Sequence, residues 1–177
     1  MKNLVSTDWL EKNLNNVRIL DASWHMPNTG RNPMDEFLNI HIQNANFFDL
    51  DKTSNQSSNL PHMLPEKKNW EKSVSELGIK NSDHIIIYDN SDVLSSCRSW
   101  YNFLYFNHNS NLVSVLDGGL KKWMNENKNT TKEVKIFSKS SYTAKENSLL
   151  VLNKDQINLN IKKKLFELVD ARSKERF

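Results

Sequence analysis

The stretch HIIIYDNSDVLSS, His84 to Ser96, has the layout of a strand that presents a reactive loop. Its apolar, β-branched start reads as a strand buried on both faces, of the kind found inside a parallel sheet. In open α/β sheets ligands bind in the crevice beyond the carboxyl end of such a strand. Chemistry there calls for a nucleophile, but the residue in place is Asp89, followed by Asn90, Ser91 and Asp92. The single cysteine, Cys97, comes later, inside the helix expected over Ser95–His108. It lacks a surrounding loop of N–H donors and reads as a small buried hydrophobe. Cys97-Arg98 also lacks the spacing with which cysteine phosphatases cradle phosphate. The histidines, at 25, 41, 62, 84 and 108, show no paired ligand spacing, so no metal site is expected. Arg31, beside Gly30 and Asn32, could meet an anionic substrate or simply be solvated. Trp24, Trp100 and Trp123 read as core residues.

The elements that must position this loop follow from the rest of the chain. Ser6-Thr7-Asp8 is an N-cap signature, with Trp9, Leu10 and Leu14 at helical spacing behind it. Val17–Leu20 makes a short strand ending in Asp21-Ala22-Ser23, and the breakers Pro27, Gly30 and Pro33 mark a loop. A short helix is expected over Met34–Ile40 and a strand over Ala45–Phe48, running into Asp49-Leu50-Asp51. Pro61 and Pro65 bracket His62 in a pinned loop. Glu66–Leu77 has the spacing of a surface helix stopped by Gly78. After the central strand and its helix come a strand at Leu112–Leu116, Asp117-Gly118-Gly119, and a helix over Leu120–Glu126. Strands alternating with helices predict an α/β fold with a parallel sheet and helices on both faces. The polar stretch from Asn125 to Asn147 reads as a linker that could carry one short strand at Val134–Phe137.

At 177 residues, with a formal net charge of +3, the chain can build one good core and offers no nucleic-acid footprint. Mean hydropathy is −0.68. No apolar run approaches a membrane span, and the amino terminus has no signal-type apolar region. One cysteine excludes an internal disulfide framework and fits a reducing cytoplasm. The run Lys162-Lys163-Lys164 reads as a solvated helix face. VLNKDQINLNIKKKLFELVDAR, ending at Arg172, parallels VSTDWLEKNLNNVRILDAS, Val5–Ser23: a capped helix, then a strand ending in Asp-Ala. The expected organisation is one domain over 1–128, a linker over 129–148, and over 149–177 the opening helix and strand of a second copy that is cut short.

Taken together, Asp21-Ala22-Ser23-Trp24, His41-Ile42 before Ala45, Phe47-Phe48-Asp49-Leu50-Asp51, Pro61-His62-Met63-Leu64-Pro65 and Asp117-Gly118-Gly119-Leu120 with Trp123 resemble the tandem-rhodanese sulfurtransferases, the 3-mercaptopyruvate type most closely. The resemblance implies a rhodanese-like fold and transfer of sulfur through a cysteine persulfide. It needs no cofactor. It implies a small sulfur donor, 3-mercaptopyruvate or thiosulfate, and a thiol or cyanide acceptor, with no nucleic-acid or membrane partner. In the family the second domain carries the nucleophilic cysteine, and the first commonly has an aspartate at that place, so Asp89 to Asp92 match a degenerate active-site loop. Asp51 and His62 match a first-domain relay that works with a serine of the second domain. Arg172 and Arg176 fall where substrate-binding arginines of the second domain begin, and Arg176 is the better match. On this reading the chain stops before its catalytic loop and is inactive alone. Two alternatives stand beside it: a non-catalytic binding or pairing module completed by a separate chain, and an enzyme using Cys97 as a divergent nucleophile.

Overall fold

The computed structural model describes residues 3–176, the side chain of Arg176 lying outside the description. The chain divides into two compact units, one running to Glu146 and the other beginning at Asn147. In the first, strands β1 (Leu4–Val5), β2 (Arg18–Asp21), β4 (Ala45–Phe47), β5 (Ile85–Tyr88) and β6 (Val113–Leu116) form a parallel sheet in the order β1-β6-β5-β2-β4. Short strands β3 (His41–Ile42) and β7 (Thr130–Thr131) make a separate antiparallel pair.

The central position of β5 follows from its side chains. All four residues are fully buried, and they alternate: Ile85 and Ile87 enter one core, Ile86 and Tyr88 the other. Each such side chain contributes about 1.5–3 kcal/mol when removed from water. No edge position would realise that on both faces. One core is closed by α4 (Lys67–Glu76) and α5 (Ser95–Tyr105), which bring Trp70, Val74 and Phe103. The other is closed by α1 (Thr7–Asn13), α2 (Pro33–Asn39) and α6 (Gly119–Asn125), through Leu10, Phe37, Leu120 and Trp123. Ser6 caps α1 by accepting from the Trp9 N–H at 3.2 Å, and Asn32 caps α2. A one-turn helix, α3 (Leu50–Thr53), follows β4.

The stretch expected as a linker behaves otherwise up to Glu146. It lies on the first unit as a strap, with Tyr142 and Ala144 buried in the core of α4 and α5. The strand in it is β7, not Val134–Phe137. Two apolar residues are enough to seat a strap where the surface already offers a matching pocket, and a polar average hides them.

Among the described residues the second unit holds one α-helix, α7 (Lys154–Lys163), opened by a capping box between Asn153 and Gln156. The strand expected before Asp170 is absent among the described residues; Leu165, Leu168 and Val169 are exposed. A strand needs neighbours to satisfy its backbone, and this unit supplies none.

Candidate functional site

The site lies at the carboxyl ends of β2 and β5. Asp21 and Tyr88 stand in register at those ends. Asp21 is almost completely buried, its Oδ1 accepting from the N–H and hydroxyl of Ser23 at 2.9 and 2.5 Å. Burial pushes its carboxyl up to about 6, against the opposing effect of the Ser23 and Tyr88 hydrogen bonds. The Ser23 hydroxyl also accepts from Asn90 N–H at 2.8 Å, which ties the end of β2 to the loop after β5.

That loop is closed on itself. The Asp89 side chain is buried, and its Oδ2 accepts from Ser96 N–H at 2.7 Å, at the start of α5. Ser91 Oγ accepts from Ser95 N–H at 3.2 Å. The first two donors that this helix amino terminus would offer to a bound anion are thus taken by side chains of the loop, and the Cys97 N–H by the Leu94 carbonyl. Asn90 and Asp92 are drawn toward Arg31: Arg31 donates to the Asn90 carbonyl at 3.0 Å and lies 3.6 Å from Asp92. The Arg31 fork itself is bidentate on Glu36, at 2.7 Å through each of Nε and Nη2. Arg31 is therefore a structural partner of a carboxylate and not an open anion site. Gly119 closes the loop from the other side. Its φ is +56°, and a Cβ there would press into the Asp89 carbonyl oxygen.

Cys97 departs from expectation. It is exposed, on the outer side of the first turn of α5, where it helps line a cleft of about 640 Å³ with Asn90, Leu94, Gly118 and Lys121. The apolar face of α5 is taken by Phe103 and, partly, by Trp100 and Leu104, and Cys97 lies off it. Among the described residues no three histidine, cysteine or carboxylate side chains come together as metal ligands would.

The pair Asp51 and His62, eleven residues apart in sequence, is brought into contact. His62 Nε2–H donates to Asp51 Oδ1 at 2.7 Å, so that in the neutral imidazole Nδ1 is the nitrogen free of a proton. Asp51 sits in the single turn of α3, and its other oxygen accepts from the Trp24 indole N–H at 3.0 Å. The Trp24 ring meets the imidazole edge-on, with centroids 4.7 Å apart. His62 has a left-handed backbone, φ 54°. That conformation costs a Cβ-bearing residue about 1–2 kcal/mol. It is offset by Arg98 of α5, whose Nη2 donates to the His62 carbonyl at 2.6 Å; hydrogen bonds from charged donors contribute about 1.5–3 kcal/mol. Burial lowers the pKa of the Arg98 guanidinium from its ordinary value.

Trp24 and Arg98 are the parts of this site that the sequence alone does not reveal. Trp24 reads as core, yet it is only partly buried and its N–H is spent on a carboxylate. Arg98 is marked only by lying three residues after Ser95, on the same helix face. In the second unit, Arg172 pairs with Asp170. Arg176 is described only as backbone.

The Rhodanese-like domain model matches residues 6–126. Thiosulfate/3-mercaptopyruvate sulfurtransferase 2 of Arabidopsis thaliana is 37% identical over 197 residues, covering 98% of this chain and 57% of that protein. The 3-mercaptopyruvate sulfurtransferase of Mus musculus is 35% identical, over 98% of this chain and 61% of its own. The crystal structure of SseA from Escherichia coli, a 3-mercaptopyruvate sulfotransferase of rhodanese fold, superposes with a TM-score of 0.91 at 30% identity, covering 99% of this chain and 68% of that one. The chain thus spans about three-fifths of the length of the curated relatives it matches. With its parallel sheet, its self-closed loop at Asp89 and these likenesses along its whole length, the chain belongs to the rhodanese-like family, beside the 3-mercaptopyruvate and thiosulfate sulfurtransferases.

Proposed function

We propose that this chain is the relay-bearing half of a sulfurtransferase that moves sulfur from 3-mercaptopyruvate or thiosulfate to a thiol or cyanide through a cysteine persulfide, the cysteine coming from a second rhodanese-like domain. The observation that carries the reading is the 2.7 Å Asp51–His62 hydrogen bond beside a loop whose nucleophile position holds Asp89. Asp51 fixes the tautomer, so Nδ1 is the base that takes a proton from a serine of the partner domain or from the mercaptopyruvate thiol. Asp89, with Asn90, Ser91 and Asp92, has a bracing role: its carboxylate occupies the donors that a thiolate would need. Arg172 and Arg176 are assigned to the donor's carboxylate in the completed protein, an Arg fork being suited to that group. On this assignment residues 1–128 are the non-catalytic rhodanese-like domain, and the segment from 149 opens the catalytic one.

The second reading, a pairing module without a catalytic part, is favoured by exposed apolar side chains on the loops that carry Trp24 and His62 and on the Asp89 loop: Met26, Leu60, Met63, Val93 and Leu94. The test is a sulfurtransferase assay on this chain alone and together with a chain that supplies the cysteine domain. The chain alone should turn over neither donor. In the reconstituted protein His62→Ala should lower 3-mercaptopyruvate turnover by ~10²-fold, the usual scale for losing a general acid or base. Thiosulfate carries no thiol proton and should be affected less. Equal loss on both donors would assign His62 to holding the domains together, and unchanged turnover of both would favour the pairing module.

A further inference from the structure

The helix behind the Asp89 loop makes contacts that closing the loop does not require. Ser95 Oγ accepts from Trp24 N–H at 3.0 Å and donates to the Ala22 carbonyl at 2.7 Å. Three residues on, and so on the same face of α5, Arg98 donates to the His62 carbonyl at 2.6 Å. Trp24, held at its backbone by Ser95, in turn donates its indole N–H to Asp51 at 3.0 Å and lays its ring against the imidazole. Two neighbouring residues of one rigid helix therefore reach both members of the Asp51–His62 pair, one through Trp24 and the other directly. The pair itself stands on weak supports of its own: α3 is a single turn, and the loop around His62 is largely exposed.

We propose that Arg98 of α5 and Trp24, itself held by Ser95 of α5, are positioning residues that bracket the Asp51–His62 pair, Arg98 holding the left-handed backbone at His62 and Trp24 orienting the Asp51 carboxylate and the imidazole edge. This rests on the relay reading given above. The bracket gives the nucleophile-free loop a present role, because by capping α5 through Asp89 the loop fixes the helix start from which Ser95 and Arg98 act. It also accounts for a tryptophan kept partly exposed beside a carboxylate, and for an arginine that points its charge at a backbone carbonyl.

The test uses the 177-residue chain, labelled with ¹⁵N, and reads the His62 ring signals and the exchange rate of the Trp24 indole N–H. Arg98→Met should move the His62 ring signals and speed Trp24 indole exchange roughly tenfold, the effect of losing about one charged hydrogen bond. Arg98→Lys, which keeps a long cationic donor, should recover most of the native behaviour. Trp24→Phe should move the His62 signals without touching Arg98. Amide protection in β5 should stay unchanged throughout, which separates positioning from general loss of stability. If Asp51→Asn moves the His62 ring and Arg98→Met and Trp24→Phe do not, the bracket is wrong and the relay stands. If Asp51→Asn leaves the ring unmoved, the pair itself is absent, and the relay reading falls together with the proposal. Should Arg98→Met not fold, Ser95→Ala reads the bracket from its other side: faster Trp24 indole exchange supports it, and native exchange sinks it.

Discussion

At the scale of single residues the site is governed by where charge is tolerated. Asp51 keeps its carboxylate near water and can orient an imidazole, whereas Asp21 has its own in the core. Burial raises Asp21 to about 6 in the folded chain, above the ordinary carboxylate value of 3.8. The folded state therefore holds this proton more tightly than the unfolded state does. The stabilisation is fully present below about pH 4 and lost as pH rises through about 6. At neutral pH the ionised Asp21 costs on the order of 3 kcal/mol relative to an unperturbed carboxyl. Asp21→Asn, which keeps an acceptor for Ser23 and carries no charge, should raise the thermal midpoint by several degrees at pH 7.5, by roughly half as much at about pH 5 and by little at about pH 3.5. Melting curves of both proteins across that range decide it. An advantage that does not grow with pH would mean that the Ser23 and Tyr88 bonds, not burial, set the behaviour of this group.

At the scale of elements, the strap between Asn127 and Glu146 is the part whose attachment depends on another titrating group. His108 lies buried between two partners: its Nε2–H donates to the Asp83 carbonyl at 3.0 Å, and its Nδ1 accepts from the Tyr142 hydroxyl at 3.1 Å. Burial lowers the pKa of this imidazole, with the Asp83 carbonyl opposing. Here the sign is opposite to that of Asp21. The contribution is present above the ordinary histidine value of 6.5 and lost as pH falls through the lower folded value, because a proton on Nδ1 displaces the Tyr142 donor. The strap should loosen in mild acid. Amide exchange of Ala144, whose N–H is held by Glu71 Oε1 at 2.9 Å, should lose protection relative to β5 between pH 7 and 5. His108→Gln should flatten that dependence; a dependence that survives the substitution would place the trigger elsewhere.

At the scale of the whole molecule, the two units differ in what they bury. The first has two cores on either side of one sheet. Among its described residues the second has one α-helix, ten residues long, and a row of exposed apolar side chains, from Leu149 at 88% exposure to Val169 at 80%. A helix of that length is marginal in water without a packed face. Amides of α7 should therefore exchange many orders of magnitude faster than those of β5 when followed by mass spectrometry or NMR. Addition of a chain that supplies the cysteine domain should slow them. Protection equal to that of β5 in the chain alone would show that α7 already has a complete core of its own.

What the sequence determined by itself was whatever rests on local pattern. The apolar run at Ile85–Tyr88 can be satisfied only between two cores, Ser6 can be read as a cap, and Gly119 opens a helix. The family likeness also lay in short motifs, among them the one that ends in Asp51 and the one that sets His62 between Pro61 and Met63. Tertiary structure decided the rest, because it turned on which face of an element meets which neighbour. Cys97 and Phe103 share one helix, and only the packing of α5 shows that the first is exposed and the second buried. Arg31 and Arg98 are equivalent as letters. One is bound to a carboxylate and the other holds the backbone of His62, a difference made by chain segments that lie far apart in sequence. The strap's place on the first unit likewise depends on Tyr142 and Ala144 meeting a pocket built by α4 and α5, a fit between surfaces that no run of residues records on its own.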